Sequence, residues 1–245
     1  MTLLPNRLLQ ALHRFNAEHP WDHNAHYHPW LLRQLPLRFD RALDVGCGSG
    51  DLARLLAARA SEVHGIDADP EIVERARELT PAGAPVTYTV ADALDGGPGG
   101  SYDVITCVAV LHHLPLSQAL ARFRGRLRPG GTLVVVGLAR TETLGDRLLA
   151  LVSVPANVVV GWVRNRGRRV PRPVSMIAVT RPAETAFGDI LREASRVLPG
   201  ARLRRRLFWR YTLVWRQPSC ASGDGRTEDG RTEDGRTGGG RTAVS

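Results

Sequence analysis

The chain has 245 residues, 43% hydrophobic and 23% charged, a composition that suits one soluble globular domain with a core large enough to fold alone. The formal net charge is +9, and all 33 basic residues are arginine, which excludes lysine-dependent chemistry such as Schiff-base formation. Cys47, Cys107 and Cys220 are widely spaced and odd in number, so we expect a reducing, cytoplasmic location. The first residues, MTLLPNRLLQALHRF, lack the apolar core of a secretory signal.

Residues 1–39 precede the first predicted strand, and we expect them to form N-terminal helices. Within them the stretch WDHNAHYHPW, residues 21–30, places His23, His26 and His28 between two tryptophans. The spacing resembles that of metal ligands, but no fourth ligand is nearby and no acid pair follows, so no metal site is predicted. Packing of the first helices is the plainest alternative role for these side chains.

Short apolar runs alternate with helical patterns between residues 40 and 138, and this alternation predicts a parallel sheet covered by helices. Ligands of such sheets bind beyond the carboxyl ends of the strands. The predicted elements in chain order are a strand at 41–45, a helix at 51–60, a strand at 62–67, a helix at 70–80, strands at 86–92 and 102–110, a helix at 116–127 and a strand at 129–138.

The loop after the first strand is glycine-rich, reading GCGSG at residues 46–50. Glycines there permit a tight turn and a close approach of the backbone to a ligand, although a plain turn is the alternative. The spacing is GxGxG instead of the GxGxxG of dinucleotide sites. Asp44 and Asp51 flank the loop, so a pyrophosphate is disfavoured and a ligand that carries an ammonium group and no phosphate is favoured.

Two further acids end the next strands in the chain. Asp67 lies about twenty residues after the loop, where a carboxylate can accept hydrogen bonds from ribose hydroxyls. Asp92 ends the third strand, where a carboxylate could accept from an adenine amino group. Any single acid of this kind can instead be a helix N-cap, and we predict that role for Asp69 before Pro70.

Residues 139–182 form the least ordinary segment. The stretch 148–163 is apolar except where Pro155 and Asn157 interrupt it, and it is shorter than the roughly 20 residues of a membrane span. We consider three roles for it: a helix packed on the domain, a lid over a greasy substrate, or a contact with a membrane surface. The arginines that follow Val163 would suit an anionic surface.

The last third of the chain predicts a helix at 182–198 and a hairpin of strands at 201–208 and 210–215. The turn of the hairpin lies around Trp209. After a boundary near Pro218, residues 219–245 repeat a short polar unit with little to bury, so we predict a disordered tail.

Four motifs resemble those of class I S-adenosylmethionine-dependent methyltransferases, in order and spacing, over about residues 40 to 138: LDVGCGSGDLARLLA, VHGIDADPEIVERAR, VADAL and YDVITCVAVLHHLP. The resemblance implies a Rossmann-like, doubly wound α/β sheet of seven strands with an antiparallel last strand and helices on both faces. It also implies S-adenosylmethionine as cofactor and a methyltransferase domain at 40–218, with a substrate cover at 139–182. Carried over by position, Gly46, Cys47 and Gly48 would pass along the cofactor, Asp44 would lie near its amino-acid end, Asp67 would hold the ribose, Ala68 would lie beside the adenine, Asp92 and Ala93 would meet the adenine edge, and Val108 would lie near the cofactor after the fourth strand.

The resemblance also suggests roles for the histidines. The segment before the first strand folds over the cofactor in this family, so Tyr27 and His26 are predicted to cap it. His113, the second of two histidines after the fourth strand, is the candidate general base, because histidine suits proton removal near neutral pH. A structural role in the loop is the alternative for His113, and methyl transfer to a good nucleophile needs mainly alignment.

These observations predict a methyltransferase that acts on a small, hydrophobic molecule. Base-amine methyltransferases carry Asn or Asp before Pro-Pro and an aromatic at the end of the fourth strand, and that motif is absent. The arginine runs at 164–172 and 202–206 keep RNA or another nucleic acid as a disfavoured alternative. The glycine spacing argues against an NAD-dependent oxidoreductase, whereas a non-catalytic S-adenosylmethionine-binding protein would retain the same loop.

Overall fold

The computed structural model describes residues 6–95, 97–173, 176 and 181–219. The helices are α1 (Asn6–Glu18), α2 (His23–Leu32), α3 (Asp51–Ala57), α4 (Pro70–Glu78), α5 (Leu116–Arg126), α6 (Leu144–Arg164) and α7 (Phe187–Val197). The strands are β1 (Phe39–Val45), β2 (Ala60–Asp67), β3 (Val86–Val90), β4 (Tyr102–Val108), β5 (Leu127–Leu138), β6 (Arg202–Arg206) and β7 (Arg210–Arg216), and a 3₁₀ turn spans Leu111–His113.

The strands form one seven-stranded sheet in the order β3-β2-β1-β4-β5-β7-β6. Strands β1 to β5 pair in parallel, while β7 lies antiparallel between β5 and β6. The predicted α/β class and the antiparallel end of the sheet are therefore confirmed. Because the chain reverses its direction of winding between β1 and β4, the carboxyl ends of these two strands border the crevice in which such sheets bind ligands.

Both faces of the sheet are buried, which explains why the central strands are almost entirely apolar. One core packs α5 and α7 against the sheet and contains Phe123, Ile190 and Tyr211. The other core packs α2 and α3 against the opposite face and contains Leu31 and Leu56. Successive side chains of β4 and β5 pack alternately into these two cores, so both faces of these strands are held by packing.

Several predicted bounds differ from the observed ones for local reasons. Helix α3 ends at Ala57, three residues early, because Ala60 already pairs with Phe39 as the first residue of β2. Helix α7 begins at Phe187 instead of 182, because the backbone N–H of Arg140 donates to the Thr185 carbonyl and holds that stretch extended. The predicted N-cap role of Asp69 is confirmed, since its side chain accepts from the backbone of Glu71 and Ile72.

Of the segment at 139–182, the structure describes residues 139–173, 176, 181 and 182. The apolar stretch 148–163 is helical, and Thr143 and Asp146 form a reciprocal cap at the start of the helix. The predicted tail at 219–245 lies outside the described residues apart from Ser219, as does Cys220.

Candidate functional site

The glycine loop closes across the carboxyl ends of β1 and β2. The backbone N–H groups of Gly46 and Cys47 both donate to the Ile66 carbonyl, at 2.8 and 2.9 Å. Gly46 has φ +69°, and a Cβ there would come within 2.0 Å of a Val110 methyl group. Glycine is therefore required at this position both for its backbone conformation and for the packing of the loop after β4.

Gly48 and Asp67 form the centre of the site. The Gly48 N–H donates to Asp67 Oδ2 at 2.9 Å, and Asp67 Oδ1 accepts from the Asp69 N–H at 3.1 Å. Gly48 has φ +51°, and a Cβ built on it would meet no atom within 4 Å. The loop is thus fixed by the half-buried carboxylate of Asp67 while Gly48 faces open space, and that space suits a ligand passing along the backbone.

Asp44 lies beneath the loop, at the end of β1. It is 2% exposed, and its Oδ1 accepts a hydrogen bond of 2.7 Å from the Thr106 hydroxyl on β4. Burial raises the pKa of Asp44 to about 7, against the opposing effect of the Thr106 hydrogen bond. Burial and the nearby carboxyls also raise the pKa of the Cys47 thiol, so this cysteine does not act as a thiolate nucleophile.

The residues predicted to meet the adenine occupy the neighbouring strand ends. Ala68 and Asp92 are exposed, and Asp92 Oδ1 accepts from the Leu94 N–H at 2.7 Å. Ala93 packs against the core on one side of the sheet, and Val108 is half-buried at the end of β4. The structure therefore brings the predicted cofactor-binding residues to one edge of the sheet, around the glycine loop.

Two residues after β4 were missed by the sequence interpretation. Ala109 has φ +57°, an uncommon conformation for a residue with a side chain, and its N–H donates to the Val136 carbonyl at 2.7 Å. Val110 fills the space beside Gly46. Neither role could be read from the sequence, because both residues continue an apolar run that predicts ordinary strand.

The paired histidines lie on the 3₁₀ turn after β4, with ring centroids 3.9 Å apart. The ring nitrogens of His112 are shielded from solvent and form no well-aligned hydrogen bond among the described residues, although the backbone of Arg181 lies near. Burial, then His113 and Arg210, lower the pKa of His112 to about 4. His113 is exposed, and partial burial and Arg181 lower its pKa, so both rings are neutral at physiological pH.

The stretch WDHNAHYHPW connects distant elements. Asn157 Oδ1, on α6, accepts from the Trp21 indole at 2.9 Å and is 2.8 Å from His23 Nε2. The hydroxyl of Tyr27 donates to the Leu207 carbonyl at 2.7 Å, and the His26 ring contacts Phe208 edge-on. Among the described residues no group of three or more His, Cys, Asp or Glu side chains is arranged to hold a metal ion.

A cleft lies beyond the carboxyl end of β5, between α6 and the β6–β7 hairpin. Leu149 and Trp209 are among its lining residues, and Arg205 pairs with Asp146 at 2.6 Å on its wall. Arg210, also in the lining, donates to Asn24 Oδ1 at 2.9 Å, which links α2 to β7. The cleft is separate in the sheet from the glycine loop, with the histidine turn after β4 between them.

Comparison with known proteins agrees with this geometry. The family profile described as "Methyltransferase domain" matches residues 43–135, from within β1 to within β5. The chain belongs to the class I S-adenosylmethionine-dependent methyltransferases, and S-adenosylmethionine is its cofactor.

An uncharacterized methyltransferase of Mycobacterium tuberculosis is 33% identical over 203 residues, which cover 82% of this chain and 99% of the relative. A ubiquinone biosynthesis O-methyltransferase of Xanthomonas oryzae is 38% identical over 168 residues, 66% of this chain and 69% of the relative. The crystal structure of the N-methyltransferase NodS of Bradyrhizobium japonicum with S-adenosyl-L-homocysteine superposes with a TM-score of 0.53 at 20% identity, over 86% of this chain and 98% of that one. The structural likeness shows the fold.

Proposed function

We propose that this methyltransferase modifies a small, apolar molecule bound beyond the carboxyl ends of β4 and β5. The observation that carries the cofactor side of this proposal is the clasp between Gly48 and Asp67, which leaves the Gly48 side of the loop open. The buried carboxyl group of Asp44 lies near this clasp, and the chain has no lysine that could bind a phosphate. Both features suit a cationic ligand that carries no phosphate.

The roles of the chain's own residues toward the cofactor follow from their positions. Gly46, Cys47 and Gly48 provide backbone that the ligand can approach closely, and the carboxylate of Asp67 accepts from the ribose hydroxyls. Asp44 lies near the amino-acid end. The remaining contacts proposed for the adenine side are those of Ala68, Asp92, Ala93 and Val108.

The acceptor would lie between the histidine turn and the cleft beyond β5. S-adenosylmethionine, when bound, supplies a methyl group activated by its sulfonium. For a hydroxyl acceptor, His113 would take up the proton that the hydroxyl loses when it receives that methyl group. Because His113 is neutral and exposed at the end of β4, it is the group we propose as the base.

His26 and Tyr27 are proposed to hold α2 as a cap. Their contacts with Phe208 and Leu207 fix α2 against the hairpin turn at the carboxyl end of β5. A cap held there would exclude water from the transfer step, and exclusion of water strengthens the electrostatic contacts inside a site.

A small-molecule acceptor is supported by the Xanthomonas oryzae relative, which is named for O-methylation in ubiquinone biosynthesis. A cytoplasmic location stays a prediction. It fits the two described cysteines, which are both buried and free.

The cofactor assignment is tested by titrating the protein calorimetrically with S-adenosylhomocysteine. Gly48→Val should abolish measurable binding by filling the ligand's path, and Asp67→Ala should weaken it about 10- to 100-fold, because orphaned ribose hydroxyls cost about 1–3 kcal/mol. Gly130→Val is the matched control, since Gly130 also has positive φ and an open Cβ position but lies at the start of β5. Equal losses in Gly48→Val and Gly130→Val would refute the assignment.

The acceptor class is tested with radiolabelled methyl donor. Small aromatic hydroxyl compounds should become labelled, and His113→Ala should lower turnover about 100-fold or more without changing cofactor affinity. Label found only in added RNA or DNA would contradict a small-molecule acceptor. If His113→Ala kept the native turnover at every pH, His113 would not be the base, and the assignment of the cofactor site would be unaffected.

A further inference from the structure

Helix α6 is oriented with its apolar side outward. Its buried residues are Ser153, Asn157 and Gly161, which follow one another at four-residue spacing. The large apolar side chains are 56 to 72% exposed: Leu144, Leu148, Leu151, Val152, Val159, Trp162 and Val163. At about 100° per residue these seven fall on the face opposite the buried three and form an apolar stripe about 29 Å long.

The polar residues fix this orientation. Asn157 bonds to Trp21 and His23 and donates to Asn16 Oδ1 at 2.9 Å, while the Ser153 hydroxyl accepts from the Phe208 N–H at 3.0 Å. A Cβ at Gly161 would approach the His19 carbonyl to 2.9 Å. Rotating the helix to bury its leucines would therefore break the hydrogen bonds of Asn157 and Ser153 and would move Gly161 away from the His19 carbonyl.

Arginine side chains surround the ends of the stripe. Arg147 lies beside its first turn, and Arg166, Arg168 and Arg172 follow its last turn, all exposed. Among the described residues none of these four forms a salt bridge with a carboxylate. The nearby acid Asp146 is engaged by Arg205 and by the cap of α6. Apolar area with a rim of unneutralised arginine matches the hydrocarbon boundary and headgroups of an anionic bilayer.

We propose that the outward face of α6 (the α6 stripe) docks the enzyme on an anionic membrane surface, with the helix parallel to the membrane plane. The helix is long and apolar enough to cross a bilayer by length and composition, but its buried polar contacts hold it against the domain. A second copy of the chain is the less suitable occupant, because a symmetric pairing would bring two arginine-rimmed faces together.

The cleft beyond β5 gives this docking a consequence for the reaction. Leu149 and Ala150, on one side of α6, line that cleft. An apolar acceptor dissolved in the bilayer would then reach the site without crossing water, a consequence that rests on the proposed function. The docking itself does not depend on the identity of the acceptor, and it is tested without turnover.

The test is co-sedimentation of the full chain with vesicles of phosphatidylglycerol and phosphatidylcholine, and with phosphatidylcholine alone. We expect binding to the anionic vesicles that weakens about tenfold or more when Leu148→Gln and Leu151→Gln are combined. The matched control combines Leu37→Gln and Leu191→Gln, which are also exposed leucines but lie outside the stripe. This control should bind as the native chain does.

Contact with lipid is checked through Trp162, which is 56% exposed on the stripe. Brominated lipids should quench the intrinsic fluorescence of the native chain, and Trp162→Phe should remove most of that quenching. Calorimetric titration with S-adenosylhomocysteine should give the native affinity in every stripe variant, which separates this proposal from that of the cofactor site. No binding to anionic vesicles, equal loss in the control, or a dimer that the stripe variants dissociate would overturn the proposal.

Discussion

The carboxyl group of Asp44 is predicted to make cofactor affinity depend on pH. Its pKa of about 7 in the free protein means that it is partly protonated under ordinary conditions. A ligand that brings positive charge to the site stabilises the carboxylate, so binding is coupled to loss of this proton. We expect affinity for S-adenosylmethionine to be about tenfold lower at pH 6 than at pH 8, measured by calorimetry in buffers of different ionisation enthalpy.

Asp44→Asn provides the control for this prediction. The amide is nearly the same size, can still accept from Thr106 and does not titrate in this range, so its affinity should change much less with pH. Titration of the cofactor's own amino group is common to both proteins and cancels in the comparison. Parallel pH profiles for the native chain and the variant would show that Asp44 does not control the affinity.

Individual residues differ in how much the sequence predicts about them. Asp67 and Asp69 were assigned to a strand end and to a helix N-cap, and the structure places both there, because each role depends on neighbours one to three positions away. Val110 gave no such signal. Its contact with Gly46 depends on how two loops meet across the sheet, which no local pattern encodes.

Among the elements, α6 depends most clearly on one side chain, that of Asn157. Asn157→Leu would leave the Trp21 indole and the Asn16 amide without their buried partner, so we expect a loss of about 2–4 kcal/mol in the free energy of unfolding. Urea denaturation followed by far-ultraviolet circular dichroism measures this loss. Asn165→Leu is the control, because Asn165 makes a single bond to the Pro20 carbonyl and should cost about 1 kcal/mol.

If the two asparagine variants were equally stable, Asn157 would not be the anchor of the helix. The sequence predicted that 148–163 was an unusual apolar element and left three roles open, yet it treated Asn157 as an interruption. The reason is that a single polar residue among leucines and valines only interrupts the apolar pattern, and the sequence does not identify its hydrogen-bond partners. Those partners lie more than 130 positions away in the chain.

The whole molecule is predicted to lose stability in mild acid. Burial lowers the pKa values of His23, His26, His28 and His112 in the folded chain. For a group whose folded pKa is lowered, the unfolded chain binds the proton more readily. Stability is therefore fully present above about 6.5, the ordinary histidine value, and falls as the pH drops below it. Asp44 acts in the opposite direction, since its raised pKa favours the fold as the pH falls from about 7.

Thermal unfolding should show a decrease in Tm of about 5 °C or more between pH 7.5 and pH 5. His23→Gln should reduce that decrease, because glutamine retains an N–H donor toward Asn157 but does not titrate. His13→Gln, on the exposed surface of α1, is the matched control and should leave the pH dependence unchanged. A Tm that is constant or rises toward pH 5 would contradict this prediction.

At the scale of the whole fold, the alternation of elements was sufficient to predict the sheet, since each β–α unit is local in sequence. The predicted site edge followed from the same rule, because the carboxyl ends of parallel strands meet. The partners of the N-terminal helices were not predicted. His26 and Tyr27 were assigned to a cap, but nothing in their own segment identifies Phe208 or Leu207 as the groups they contact.

The contact between α2 and the distant hairpin turn has a consequence for synthesis on the ribosome. The Tyr27 hydroxyl bonds to a carbonyl 180 positions further along the chain, so α2 cannot complete its contacts until the hairpin turn at 207 has emerged. At about 5–20 residues per second, the interval is about 10 to 40 s. Throughout it the aromatic side of the nascent N-terminal segment lacks its final partners, and α6 emerges before the hairpin turn that Ser153 contacts. A nascent chain stalled before residue 207 would therefore present to chaperones an uncovered aromatic surface on α2 and an α6 whose Ser153 lacks its partner, beside a sheet whose parallel strands are already made.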